Sequence, residues 1–305
     1  MTPKRAGLLL CLVSAAGYST TPILVKYAYE AEIGVVTLLT LRFSIAAALF
    51  WALVARAGLE LPTMGALTRG LALGIVGTSG QTWLFAAALA RIDAALVSLL
   101  LYVYPAMVMV GAVLIGRERL SWRRVVALVV ASGGVGLVLS GAPIGTTDGL
   151  GVLLALGSAL GYTGYLLVGH ALVQRVSPLL LATSICTGAA LTFTGIGLIG
   201  GLLDFRFRPW GWGPILAIAL IPTVLATLTA LAGVSRVGPT VASIIAMMEV
   251  PITVILAALL LGERLFPLQL AGGALVLSSV LLLPFSRIGR PKTTRRADES
   301  RGLSS

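Results

Sequence analysis

Residues 91–120, RIDAALVSLLLYVYPAMVMVGAVLIGRERL, return in altered form as residues 236–265, RVGPTVASIIAMMEVPITVILAALLLGERL. Each copy opens on Arg, carries Ser seven residues on (Ser98, Ser243) and passes a proline (Pro105, Pro251). Each closes on a turn, Gly116-Arg117-Glu118-Arg119-Leu120 in the first and Gly262-Glu263-Arg264-Leu265 in the second. The second copy has one extra residue before its proline and one fewer in its turn. Both are long apolar runs, and the second holds an acid, Glu249, at its centre. A duplicated apolar segment with a central acid in one copy predicts a membrane carrier built from two halves.

The rest of the chain fits that expectation. Of 305 residues, 58 % are hydrophobic and 11 % charged, with a mean hydropathy of +1.02, too few charges to cover a soluble protein of this size. Apolar runs of about 20 residues, enough to cross hydrocarbon at about 1.5 Å per residue, fall at 6–28, 34–56, 67–90, 93–115, 122–140, 148–172, 178–203, 212–234, 238–261 and 267–286. The loops between them leave no room for a soluble catalytic domain, and the polar tail from Arg287 reads as disordered. The net charge of +11 is not a nucleic-acid signal. With a cytoplasmic N-terminus, 16 of the 22 basic residues fall on the inner side, which places both termini in the cytoplasm. Cys11 and Cys186 lie in apolar spans and predict no disulfide framework. The first span, with Lys4 and Arg5 ahead of it, reads as uncleaved, because its pattern recurs downstream.

That recurrence is Ser14-Ala15-Ala16-Gly17-Tyr18 against Ser158-Ala159-Leu160-Gly161-Tyr162, an offset of 144 that also sets Lys26 against His170. Span 1 thus corresponds to 6, 4 to 9 and 5 to 10. A unit of five spans is odd, so consecutive copies enter the membrane in opposite orientations. The loop charges agree: Arg117, Arg119, Arg123 and Arg124 follow span 4, whereas Arg264 follows span 9. The expected fold is an all-α integral membrane protein of ten transmembrane helices as two inverted five-helix repeats. Residues 1–143 form the first repeat, 144–287 the second, and 288–305 a disordered cytoplasmic tail.

With these motifs in view, the chain resembles the drug/metabolite transporter superfamily, EamA type, over about residues 6–286. The resemblance rests on Leu41-Arg42-Phe43, Tyr104-Pro105 and the Gly116–Leu120 turn in the first half. In the second half it rests on Glu249, Pro251 and the Gly262–Leu265 turn. The family usually sets Glu directly before Pro in its ninth helix. Here Val250 intervenes, which turns Glu249 by about 100° relative to Pro251 and leaves its direction open. The resemblance implies a central cavity walled by helices 1–4 and 6–9, with 5 and 10 bracing from outside, and alternating access between the halves. It further implies a bacterial inner-membrane exporter, in the branch that handles amino acids, aromatic ones included.

Depth selects the candidate residues. Glu249 lies roughly 15 Å and Arg42 roughly 12 Å into the membrane from opposite faces, so their levels nearly coincide. A charge there costs at least about 2.5–3.5 kcal/mol and faces a partner or a wet cavity. Arg42 aligns with Ile185 and Glu249 falls near Tyr104, so neither has a charged counterpart in the other half. One reading pairs the two charges, or bonds them to helix backbones, and locks the bundle. The other has Glu249 attract a substrate ammonium or take up a proton, and Arg42 hold a carboxylate. Tyr18, Trp83, Tyr102, Tyr104, Tyr162 and Tyr165 reach similar depth, away from the interface where aromatics ordinarily collect. They either pack helices or line an amphipathic cavity. Met247 and Met248 offer deformable apolar surface, and Gln81 a polar contact. The candidate substrate-binding set is therefore Tyr18, Arg42, Gln81, Trp83, Tyr102, Tyr104, Tyr162, Tyr165, Met248 and Glu249. Prolines at 22, 105, 222 and 251 predict helix breaks. Gly70/Gly74, Ser132/Gly136/Ser140 and Gly157/Gly161 predict close-packed seams.

Other classes fare worse. Gly77-Thr78-Ser79-Gly80 resembles the Gly-x-Ser-Gly of rhomboid-type intramembrane serine proteases, with His170 as base. The two would lie roughly 15 Å apart in depth, whereas a dyad needs about 3 Å. No metal-ligand cluster and no GxxxxGK[ST] phosphate loop is present, so the expectation is no enzyme and no cofactor. A channel would lack the need for a central acid. A lipid or nucleotide-sugar carrier of the same fold is the alternative within the family; a nucleotide cargo would need several buried cations, where Arg42 is the clear one. The expected partners are a small-molecule substrate and membrane lipid, with no nucleic acid. A monomer suffices, because the duplication supplies both orientations.

Overall fold

The computed structural model of the chain describes residues 3–60, 63–89, 91–92, 97, 100–118, 120–140, 148–261 and 267–282. Arg119, the 262–265 turn, the expected repeat boundary near 143 and the tail from 288 lie outside the described residues. Every regular element among the described residues is helical. The ten spans are α1 (Pro3–Glu30), α2 (Val35–Arg56), α3 (64–89), α4 (ending in Tyr104–Leu114), α5 (Trp122–Leu139), α6 (Gly149–Val173), α7 (Pro178–Ile199), α8 (Pro209–Val237), α9 (Pro239–Ala246 then Glu249–Leu261) and α10 (Pro267–Leu281). Six of them, α1, α2, α6, α7, α8 and α9, are each long and apolar enough to cross a membrane by length and composition. Leu114, Trp122, Ile199 and Leu259 are exposed on the outside, as side chains facing lipid would be.

Because lipid tails are as apolar as leucine, burial alone does not hold such helices together, and close backbone approach does. The principal pairings are α1 with α8, α3 with α6, α2 with α7, α3 with α7, α2 with α8, α4 with α9, α5 with α10, α4 with α6 and α1 with α9. Exchanging each helix with the one five places on returns the same set, so the two five-helix halves relate as a pseudo-twofold pair. Small residues make the pairings possible at matching positions. A Cβ on Gly17 would come 2.8 Å from Ala226 Cβ, and one on Gly7 would come 2.7 Å from Val237. Their counterparts Gly161 and Gly151 face Gln81 and Ile92 in the α3–α6 seam. Between α3 and α7, Gly74 and Gly188 lie against the carbonyl oxygens of Ile185 and Leu71. The expected α5 seam at Ser132/Gly136/Ser140 is misplaced. Gly136 has open space around it, and Gly134 meets α10, where a Cβ would sit 2.7 Å from Gly272 O. Helical spacing alone does not say which small residue faces the neighbour.

Five helices depart from regular α geometry near mid-span. In α3 and α8, Leu73–Ser79 and Ala219–Leu225 are π-helical, at corresponding places. In α4 and α9 the helix breaks and restarts at corresponding residues, Tyr104 and Glu249. α1 breaks at Thr20, before Pro22, while α6 runs unbroken. At the start of α6, outside the spans, Asp148 caps the helix by accepting from Leu150 N at 3.1 Å. The hydrogen bond from Arg91 holds the Asp148 carboxyl below its ordinary range.

Close approach at Gly188 predicts intolerance of volume. Gly188→Val should lower stability by about 1–3 kcal/mol through overpacking, read as an earlier thermal unfolding midpoint in detergent. Gly195→Val, on the same helix with open space around it, should change the midpoint far less.

Candidate functional site

The irregular helix centres converge. A cavity of about 320 Å³ lies where they meet, and its lining comes from α1–α4 and α6–α9. That size is at the lower end of small-molecule sites, about 300–1,000 Å³. Irregular backbone at membrane depth is tolerated where it lines such a cavity, and in α8 and α9 the cause of the irregularity is local.

In α9 the cause is Pro251, which has no N–H for the Met247 carbonyl. That carbonyl accepts from Val250 N instead, at 3.2 Å, and Met248 N closes back on Ile245 O at 3.0 Å. These three-residue closures end one helix at Ala246 and start another at Glu249. Glu249 thereby becomes the first residue of a half-helix, where the positive end of the peptide dipoles favours an anion, and it lines the cavity. The sequence left its direction open; the break resolves it.

In α8 the cause is Pro222, which leaves the Ile218 carbonyl without its usual donor. Thr223 Oγ1 donates to that carbonyl at 2.8 Å and accepts from Arg42 Nε at 2.7 Å. The Arg42 guanidinium also stands 5.0 Å from the centroid of the Phe43 ring, itself stacked on Phe193 at 5.7 Å. Arg42 is thus fixed at the cavity wall by a hydroxyl and an aromatic face. No ion pair joins Arg42 and Glu249 among the described residues.

The aromatic wall is continuous. Tyr104 meets Tyr162 edge-on at 4.7 Å, Tyr162 stacks on Tyr165 at 5.8 Å, and Tyr102 lies 6.2 Å from Tyr104. Across the cavity, Tyr18 shares a hydrogen bond with Thr227 Oγ1 at 2.9 Å. Gln81 Nε2 donates to Ser158 Oγ at 3.1 Å. The register of the two π-helical segments makes Gln81 and Thr227 counterparts, so the same two seams supply a polar contact on each side.

Of the ten candidate residues, Tyr18, Arg42, Gln81, Tyr102, Tyr104, Tyr162, Tyr165 and Glu249 come together around this cavity. Trp83 and Met248 do not. Trp83 stands two residues past Gln81, on the other side of α3, and is 56 % exposed on the outside. Met248, one residue before Glu249, is buried in an apolar cluster with Cys11, Ala15 and Leu128. Both misplacements follow from the roughly 100° turned per helical residue. Among the lining residues outside the candidate set are Thr21 and Thr78, whose buried hydroxyls have no hydrogen-bond partner. Thr21 sits in the Pro22 break and Thr78 in the π-helical turn, so the irregularity was their one available signal. The protease alternative falls at the same turn, where Ser79 Oγ donates to Gly74 O at 3.1 Å. His170 lies in a different concavity, with Arg117 and Arg175.

Comparison with known proteins agrees with this architecture. The sequence profile of the EamA-like transporter family matches residues 5–140 and again 149–285, and the chain belongs to that family. It is 26 % identical over 277 residues to the uncharacterized transporter YcbK of Bacillus subtilis, across 88 % of this chain and 89 % of the relative. It is 30 % identical over 173 residues to the uncharacterized transporter YwfM of the same organism, across 56 % and 57 %. A solved crystal structure, 17 % identical, superposes with a TM-score of 0.81 over 92 % of this chain and 98 % of that one, a likeness of fold. The protein is therefore a multi-pass secondary transporter of an all-helical, duplicated fold, and not an enzyme.

Thr223 should matter more than an ordinary helix threonine. Thr223→Val leaves Arg42 Nε without its partner and removes the hydroxyl bond to the Ile218 carbonyl, at a cost of about 1–3 kcal/mol. Thr229→Val removes a hydroxyl that bonds its own helix, to Leu225 O and Ala226 O. Thermal unfolding of the two variants should show the larger loss in Thr223→Val.

Proposed function

We propose that this EamA-family carrier exports small amphipathic metabolites, with amino acids, aromatic ones included, as the favoured cargo. The observation that carries the reading is that a central carboxylate and a central guanidinium line one cavity without pairing with each other. Two fixed, opposite, unpaired charges suit a zwitterion, with Glu249 facing its ammonium and Arg42 its carboxylate. The tyrosine wall suits stacking with a planar side chain. The free hydroxyls of Thr21 and Thr78 add polar contacts. A nucleotide-sugar carrier would need several central cations, and Arg42 is the one cation among the described residues that line the cavity.

In this reading the halves, set at residues 1–143 and 144–287, rock around the cavity and expose it to each side in turn. The charge asymmetry of the loops sets both termini in the cytoplasm, of a bacterial inner membrane. One chain supplies both halves and works as a monomer.

The test is counterflow in liposomes preloaded with unlabelled phenylalanine, following entry of labelled phenylalanine. The wild type should show transient accumulation. Glu249→Gln, folded and monodisperse, should lose at least about tenfold of that rate, equivalent to ~1.4 kcal/mol. Counterflow in Glu249→Gln equal to the wild type would remove Glu249 from the site, and none in an intact wild type would remove the aromatic cargo.

A further inference from the structure

A second concavity, of about 550 Å³, opens where the start of α3 meets the ends of α4 and α6. Its lining includes Arg69, Arg117, His170, Gln174 and Arg175. Arg69 and Arg175 have no acidic partner among the described residues. Arg117 is steadied by donating from Nη1 to Leu167 O at 2.8 Å. The buried Nδ1 of His170 has no hydrogen-bond partner. The nearest acid in sequence, Glu118, is engaged by Arg124.

A general excess of basic residues on one side of a membrane protein would explain charge here, but not a charged hollow. The pseudo-symmetry sharpens the contrast. The register of the paired π-helical segments sets Ile215 opposite Arg69. Ile215 is fully buried in one apolar cluster with Ala28, Ala31, Ile33 and Leu38. Where one end of the bundle is plugged by packing around Ile215, the other end holds arginines around open space.

We infer that this concavity is a binding site for a phosphate group. Guanidinium forks match phosphate oxygens in geometry as well as charge. Three arginines from separate helix ends around one hollow supply more than a single neutralising contact. Arg117 and Arg175 lie just past the ends of their helices, the level at which lipid headgroups sit and where basic pockets between helices hold anionic ones. The phosphate can arrive on an anionic lipid headgroup or as a free ion, and the site's chemistry is the same. It stands apart from the central cavity and does not depend on the cargo assigned there.

The experiment uses the full chain in detergent micelles and follows its thermal midpoint. The additions are dihexanoyl-phosphatidylglycerol, dihexanoyl-phosphatidylcholine, inorganic phosphate or chloride at equal ionic strength. The midpoint should rise saturably with phosphatidylglycerol, with inorganic phosphate, or with both, and not with phosphatidylcholine or chloride. A response to the lipid alone identifies a headgroup, and a response to inorganic phosphate identifies the free ion; either supports the site. Arg69→Ile with Arg175→Ala, which removes two of the three guanidinium groups, should raise the half-saturating concentration at least about tenfold. Arg69→Gln alone should shift it in the same direction, which keeps the test readable if the double variant fails to fold. Arg56→Gln, a basic residue outside the lining, should match the wild type. No saturable rise with either phosphate source, or variants of Arg69 and Arg175 that respond like the wild type, would overturn the site.

Discussion

A proline in a membrane helix leaves one carbonyl without its donor, and in hydrocarbon that carbonyl must find another. Most of what is distinctive here follows from how three prolines are answered. Pro251 is answered by a tight turn that restarts α9 at Glu249. Pro222 is answered by a π-helical turn and the Thr223 hydroxyl, which in turn fixes Arg42. Pro22 accompanies the α1 break, where Thr253 Oγ1 reaches across from α9 to the Ser19 carbonyl at 3.1 Å. The cavity is the space these repairs leave, and the central charges face it because the repairs point them there.

Duplication supplies the frame and divergence supplies the chemistry. Equivalent positions of the two halves line the cavity in pairs, Tyr18 with Tyr162, Gln81 with Thr227 and Tyr104 with Glu249. The backbone events at these positions are alike, down to the paired π-helical segments and the paired restarts. The side chains are not alike. A symmetric cavity would present the same group from both sides, whereas this one presents a carboxylate opposite a phenol and a guanidinium opposite Ile185. An asymmetric small molecule meets different chemistry at each end.

Much of the architecture was legible in the sequence, for a physical reason. Apolar length marks the spans, a repeated Ser-x-x-Gly-Tyr marks the pairing of halves, and central charges are costly enough to advertise a cavity. What was not legible turns on rotation about a helix axis. Trp83, Met248 and the Gly134 seam were missed by one or two residues, each of which turns a side chain by about 100° or more. π-Helical turns change that phase without any sequence motif, which hid Thr78. The Val250 insertion looked like a departure that could aim Glu249 elsewhere. Because the helix restarts at Glu249 itself, its direction is set by the break and not by the phase of the half-helix before it.

The central claim, that cargo sits in the cavity lined by Glu249, Arg42 and the tyrosines, is tested most directly by cargo protection of a cavity residue. With Cys11 and Cys186 replaced by serine, Thr78→Cys is treated with N-ethylmaleimide in liposomes, with and without a cargo that the same preparation carries in counterflow. The account predicts that saturating cargo slows labelling of Thr78→Cys markedly and leaves labelling of Ile199→Cys, at the far end of α7, unchanged. Labelling of Thr78→Cys at the same rate in the presence of a carried cargo would contradict it.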